Sequence, residues 1–156
     1  LDNPLVVLAS TNHPLARVRN IPAQSLSKEM FIIREPGSGT RMATERFFTD
    51  HGIKINVRME LGSNEAIKQA IVGELGITVL SRHTLALDAP MGQLVMLDIV
   101  GFPLKRSWYY AYPSGKQLSI VAETFLEYLR QAPNYLVDLS CYHATVGCCP
   151  LLSKSK

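Results

Sequence analysis

Phe31-Ile-Ile-Arg-Glu-Pro-Gly-Ser-Gly-Thr-Arg41 is the stretch from which the fold can be read. A short apolar run enters a Pro-Gly-Ser-Gly turn. The turn hands over to a polar-capped helix that ends near Gly52. Strand, glycine loop, helix is how an α/β domain presents backbone N–H groups to an anion. Two nucleotide motifs fail on spacing. A P-loop needs a lysine after its last glycine to reach the terminal phosphates, and Gly39 is followed by Thr40 and Arg41. A dinucleotide fingerprint needs a third glycine where Met42 stands. No nucleophile or metal set accompanies the loop, so it is built to hold a ligand rather than to transform one.

Working outward, Met30–Ile33 reads as a buried strand and Thr40–His51 as a helix with Met42, Ala43, Phe47 and Phe48 on its apolar side. Ile53–Leu61 alternates without fault, apolar at every odd position, which predicts a half-exposed strand. Ser63 or Asn64 caps the next helix, and Glu65 suits its positive end. Ala66, Ile67, Ala70 and Ile71 form its stripe, Gly73 ends it, and Ile77–Leu80 is another buried strand. Residues 30–80 therefore read β-α-β-α-β, and right-handed crossovers make that a parallel sheet. Pro4–Ala9 is a further buried strand. Ser10–Ser27 is loop with a short helical turn, and a helical piece lies near His83–Ala89. Strands are expected at Leu94–Val100 and Ser107–Tyr112. A final helix is capped by Ser119, with Val121, Ala122, Phe125, Leu126 and Leu129 facing a core, and Pro133 stops it.

The 156 residues suffice for one ordinary domain, or one and a fraction. A composition 47% hydrophobic and 19% charged suits a globular protein, and a net charge of +3 without a basic run gives no support for direct DNA binding. No apolar stretch approaches membrane-spanning length and no signal peptide precedes Leu1. The cysteines are Cys141, Cys148 and Cys149. Their odd number and confinement to the tail fit a reducing cytoplasm. With His143 they make a poor zinc set, because adjacent cysteines are awkward for one tetrahedral site. No metal and no cofactor is expected.

Ligands of open parallel sheets bind beyond the carboxyl ends of the strands. Three polar loops fall there: Arg34–Thr40, Gly62–Asn64 and Ser81–His83. The candidate ligand residues are Arg34, Ser38, Gly39, Thr40, Ser63, Asn64 and Ser81. Their hydroxyls, amides and free N–H groups suit a carboxylate or phosphate. Plainer roles stay open: Ser63 and Thr40 as helix caps, Gly37 and Gly39 as turn formers, Arg34, Arg41 and Arg82 as solvated surface. His83 lacks an obvious carboxylate to orient it. Glu35 is explained by the turn and Glu65 by its helix end, so no catalytic constellation emerges.

Four motifs now stand in order: Asn12-His-Pro-Leu15, Arg34-Glu-Pro-Gly-Ser-Gly-Thr-Arg41, Glu60-Leu-Gly-Ser-Asn-Glu-Ala-Ile-Lys-Gln-Ala70 and Gly76-Ile-Thr-Val-Leu-Ser81. From about Leu1 to Gln131 the chain resembles the effector-binding domain of LysR-type transcriptional regulators. Its wording is most similar to the CbbR-like branch, which controls carbon dioxide fixation operons. The resemblance implies a periplasmic-binding-protein-like α/β fold, with one nearly complete Rossmann-like subdomain and a truncated second one. Residues 1–20 would be a remnant of the first subdomain and a crossing strand, and 21–100 the second effector subdomain. Residues 101–132 would be the return strand and C-terminal helix of the first, and 133–156 an unassigned tail.

The resemblance further implies a cytoplasmic, non-enzymatic sensor. It would bind a small anionic metabolite in an inter-subdomain cleft; CbbR-like members respond to phosphorylated metabolites or NADPH. DNA would be met only through a helix-turn-helix domain absent from this chain, and no membrane is involved. It implies a homodimer or tetramer, with Phe47, Phe48, Val57 and Met59 at the contact. The rival readings are a solute-binding protein of a transport system, which would carry an export signal, and a small transferase, which would need a nucleophile or acid–base pair.

Overall fold

The computed structural model describes residues 2–85, 92–115 and 117–131. Residues 2–108 cluster as one unit, and Tyr109 onward, with Leu1, as another. In the first unit the elements are β1 (Leu5–Ser10), β2 (Met30–Arg34), α1 (Gly39–Asp50), β3 (Asn56–Leu61), α2 (Asn64–Val72), β4 (Thr78–Ser81) and β5 (Leu94–Met96). The expected breaks at 20/21 and 100/101 do not coincide with this clustering. The reason lies in β1, which is the middle strand of a β4-β1-β5 sheet. It pairs antiparallel on both sides, Leu5 with Ser81 and Leu8 with Met96. Leu104 closes on Leu5 through another antiparallel bridge.

β2 and β3 run parallel, Met30 facing Asn56 and Arg34 facing Leu61. A parallel bridge from Phe31 to Ile77 ties this pair to β4, with Ile32 N–H on Ile77 O at 2.9 Å and Ile77 N–H on Met30 O at 2.8 Å. The β-α-β-α-β core is parallel, as the crossovers require, and β1 adds an antiparallel element to it. Gly76 permits the close approach of β4 to β2. Its φ is +155°, and a Cβ there would run into the carbonyl oxygen of Met30.

The sheet is buried on both faces, which is why β1 is an unbroken apolar run. Leu5, Val7, Ala9, Phe31, Ile33, Ile77 and Val79 pack on the α1 side with Phe48. Val6, Leu8, Ile32 and Leu80 pack on the α2 side with Ile67 and Ile71. The Ile53–Leu61 alternation behaves differently from its expectation. The ladder shifts register between Phe31 and Ile32, so that Phe31 faces Val57 and Ile32 faces Met59. One extra residue flips the side-chain alternation. Ile53 and Ile55 therefore join the α1 core, Met59 and Leu61 join the α2 core, and Val57 is left 45% exposed.

Other expectations are corrected too. The first loop holds two 3-10 turns, Pro14–Arg17 and Ala23–Lys28. The 94–100 strand is only three residues long. Ser107–Tyr112 forms no strand; Ser107 makes one bridge to Asp2. Arg82–Leu85 is a 3-10 turn, and the rest of the helix expected to Ala89 lies outside the described residues. Met42, expected on the apolar side of α1, is exposed. In the second unit α3 (Ile120–Gln131) starts where expected, with Ser119 Oγ accepting from Ala122 N–H at 3.3 Å. Val121 and Phe125 are exposed rather than facing a core. The cysteine tail lies outside the described residues.

Candidate functional site

β2 and β3 end together, because parallel pairing puts Arg34 beside Leu61. Both chains then turn into helices at the same edge. After β2, Gly37 adopts φ +85° and the Ser38 N–H bonds Glu35 O at 3.2 Å. Glycine takes that conformation without steric cost. Ser38 Oγ accepts from Arg41 N–H at 3.5 Å and caps α1. After β3, Ser63 Oγ accepts from Ala66 N–H at 3.4 Å and caps α2. Each cap serves one of the four first-turn donors, and the helix end keeps its partial positive charge.

Arg34 stands at this edge. Its Nε and Nη2 donate to the two carboxylate oxygens of Glu35 at 2.7 and 2.8 Å, and its Nη1 donates to Asn64 Oδ1 at 2.7 Å. The bidentate bond raises the Arg34 pKa above its ordinary value. It holds the Glu35 carboxyl down at about 2, with help from a backbone N–H and the nearby charges of Arg34 and Arg41. Arg41 is a second hub: Nε meets Glu45 at 2.7 Å, and Nη1 meets Glu60 at 2.9 Å and Arg34 O at 3.1 Å. The Glu60 and Glu45 bonds raise its pKa. Arg41 thus straps the start of α1 to β2 and β3. Thr40 shares a small cleft with Arg34, Arg41 and Thr44.

Of the residues singled out by sequence, Arg34 and Asn64 are in contact, Ser38 and Ser63 cap adjacent helices, and Thr40 lines the same edge as Arg34. Gly39 has no positive φ and lies against the guanidinium of Arg106, which would have to move aside for a Cβ. Ser81 is turned inward. It is 9% exposed, its hydroxyl donates to Asn3 Oδ1, and it accepts from His83 N–H at 3.2 Å. His83 Nε2 lies 2.8 Å from Asp2 O, and its ring packs on Trp108. Sequence reasoning missed the bidentate role of Glu35, the hub at Arg41 and the approach of Arg106. Only the Arg41–Glu45 pair had a signal, its i, i+4 spacing.

Phe48, expected at a chain–chain contact, is 3% exposed and packs edge-on against Phe31 at 5.4 Å. Its ring belongs to the core on the α1 side of the sheet. Phe47 is half-buried between Phe48 and Phe102. Val57 is exposed and Met59 half-buried. Among the described residues no group of three or more His, Cys, Asp or Glu is placed to hold a metal ion, and no helix is long and apolar enough to cross a membrane.

The family model of the LysR substrate binding domain matches residues 1–134. The chain belongs to the LysR substrate-binding-domain family. It is 56% identical over 129 residues to the HTH-type transcriptional activator CmpR of Synechocystis sp., a match covering 83% of this chain and 42% of that protein. It is 52% identical over 128 residues to a RuBisCO operon transcriptional regulator of Acidithiobacillus ferrooxidans, covering 82% of this chain and 41% of that protein. The regulatory domain of CcmR from Synechocystis PCC6803, solved in complex with 2-PG, superposes with a TM-score of 0.82 at 55% identity, covering 85% of this chain and 64% of that one.

This LysR domain spans about two fifths of the length of its curated relatives. Those relatives are transcriptional regulators of the CbbR and CmpR kind rather than enzymes, so the domain is an effector-binding one with a periplasmic-binding-protein-like fold. They lend no support to the transport reading.

Proposed function

We propose that this LysR domain senses a small anionic metabolite, of the phosphorylated class, at the carboxyl edge of β2 and β3. The observation that carries this is the convergence of two capped helix N-termini on Arg34. It is supported by the 55%-identical CcmR domain, whose structure holds 2-PG. Ser38, Gly39, Thr40, Ser63 and Asn64 would supply small polar groups and N–H donors, and Arg34 a charge. Ser81 is left out of this set, because its hydroxyl is already committed to Asn3.

In this reading residues 21–100, with β1 and the 101–108 return built into the same unit, form the second effector subdomain, and α3 belongs to the first. The whole regulator works in the cytoplasm as a homodimer or tetramer and meets DNA through a separate helix-turn-helix domain. An effector changes DNA binding only by preferring one arrangement of the assembly. Calorimetric titration of the chain with 2-PG is the test, alongside Ser38→Ala and Thr40→Val. A lost hydrogen bond to a charged group costs about 1.5–3 kcal/mol, so affinity falls by roughly tenfold or more in each variant. Unchanged titrations in both remove the α1 N-terminus from the site.

A further inference from the structure

Glu35 occupies the place where an incoming anion would go. The side-on edge of a guanidinium, Nε with Nη2, is the pair of parallel donors that fits a carboxylate or phosphate. On Arg34 both are taken by the two oxygens of Glu35, at 2.7 and 2.8 Å. The same carboxylate stands 3.9 Å from where a Cβ of Gly62 would be, at the start of the loop that leads into α2. It therefore fills the space flanked by the two anion-facing loops. We propose that Glu35 is an internal occupant of the Arg34 fork, which the ligand's own anion displaces on binding. This rests on the reading of Arg34 as an effector residue.

The surroundings permit such an exchange. Asn64 holds Nη1 at 2.7 Å, so the guanidinium stays in place when Glu35 leaves. The Glu35 side chain is 41% exposed, and its departure puts the carboxylate into water rather than into an apolar wall. Its backbone is pinned by the Ser38 N–H, so only the side chain has to rotate. An occupant of this kind filters ligands. A monoanionic carboxylate gains nothing over Glu35, whereas a phosphate brings more charge and a third oxygen for the helix N–H groups. Glu35 thus sets a common threshold, which a phosphate ester clears by its extra contacts and a simple carboxylate does not.

The experiment titrates the chain and its Glu35→Gln, Glu35→Ala and Arg34→Gln variants with 2-PG, inorganic phosphate and acetate. The Glu35 carboxyl is followed by carbon NMR across pH, with and without saturating 2-PG. Removing a partly exposed competitor tightens 2-PG and phosphate by about two- to fivefold, the scale of such ion pairs, and acetate binding rises with it. The Glu35 carboxyl climbs from about 2 back to or above the ordinary value of about 4.3 when 2-PG saturates the site. A carboxyl that stays near 2 in the saturated chain overturns the proposal. So does loss of 2-PG affinity in both Glu35 variants to the extent seen in Arg34→Gln, which makes Glu35 a strut for Arg34 and leaves the effector site standing. If Arg34→Gln binds 2-PG as the unmodified chain does, the effector-site reading of Arg34 fails and the displacement falls with it.

Discussion

Arg34 Nη1 donates a 2.7 Å hydrogen bond to Oδ1 of Asn64, joining the last residue of β2 to the first residue of α2. The bond crosses from one anion-facing loop to the other and fixes the Arg34 guanidinium at the start of α2. Replacing Asn64 by Leu leaves the cap at Ser63 intact but releases Nη1 of Arg34, whose other edge stays on Glu35. Affinity for 2-PG is expected to fall by about tenfold, the weight of one hydrogen bond to a charged group, with little change in melting temperature. Calorimetry paired with a thermal melt separates the two effects; a large drop in the melting temperature would instead mark Asn64 as a folding residue.

Glu35 carries a pH signature. The Arg34 fork holds its carboxyl at about 2, below its ordinary value. On acidification the unfolded chain takes up this proton first, so the stabilisation from the pair is complete above the ordinary value of about 4.3. It is lost as pH falls through about 2. The gap in urea midpoint between the unmodified chain and Glu35→Gln should therefore narrow from pH 6 to pH 2.5. A gap that widens with acid would contradict the pair.

Phe48 and Met42 lie on the same helix and should respond in opposite ways. Phe48 is 3% exposed against Phe31, and Met42 is 64% exposed. Phe48→Ala is expected to cost about 3–5 kcal/mol through lost contacts and the cavity left behind. Met42→Ala should stay within about 0.5 kcal/mol. Chemical denaturation of the two variants checks the assignment of the α1 core face.

Self-association, if it uses β3, depends on Val57, which the register shift leaves 45% exposed. An exposed apolar residue on a two-stranded edge tends to be covered by another chain. Val57→Asp is expected to move the chain toward monomer in light scattering at high concentration, without lowering its melting temperature. An unchanged oligomer would place the contact elsewhere.

The elements readable without coordinates are those whose energetics are local. Ser63 caps the helix it precedes, because a hydroxyl reaches an N–H three residues on whatever surrounds it; at α1 the cap is Ser38 and not the expected Thr40, which lies inside the first turn. Gly73 ends α2, and the apolar runs of β1, β2 and β4 are buried, since nothing else suits them. The strand–glycine–helix order of residues 31–50 also placed Arg34 just before the start of α1.

Tertiary structure decided everything that depends on a partner distant in sequence. The perfect alternation of Ile53–Leu61 predicted one buried face, yet a one-residue register shift against β2 divided its apolar residues between two cores. Lys68, outside the apolar stripe of its helix, is 3% exposed, with Nζ near Glu65 and the Thr84 carbonyl. Ser81 had the right position on the right strand, but Asn3, 78 residues away, claims its hydroxyl. Glu35 looked like a turn residue, and only the orientation of Arg34 at the end of β2 gave it a charge to hold. Local hydrogen bonding fixes where helices begin and which strands are buried. Which hydroxyls and carboxylates remain available to a ligand is set by the long-range pairing that consumes the rest.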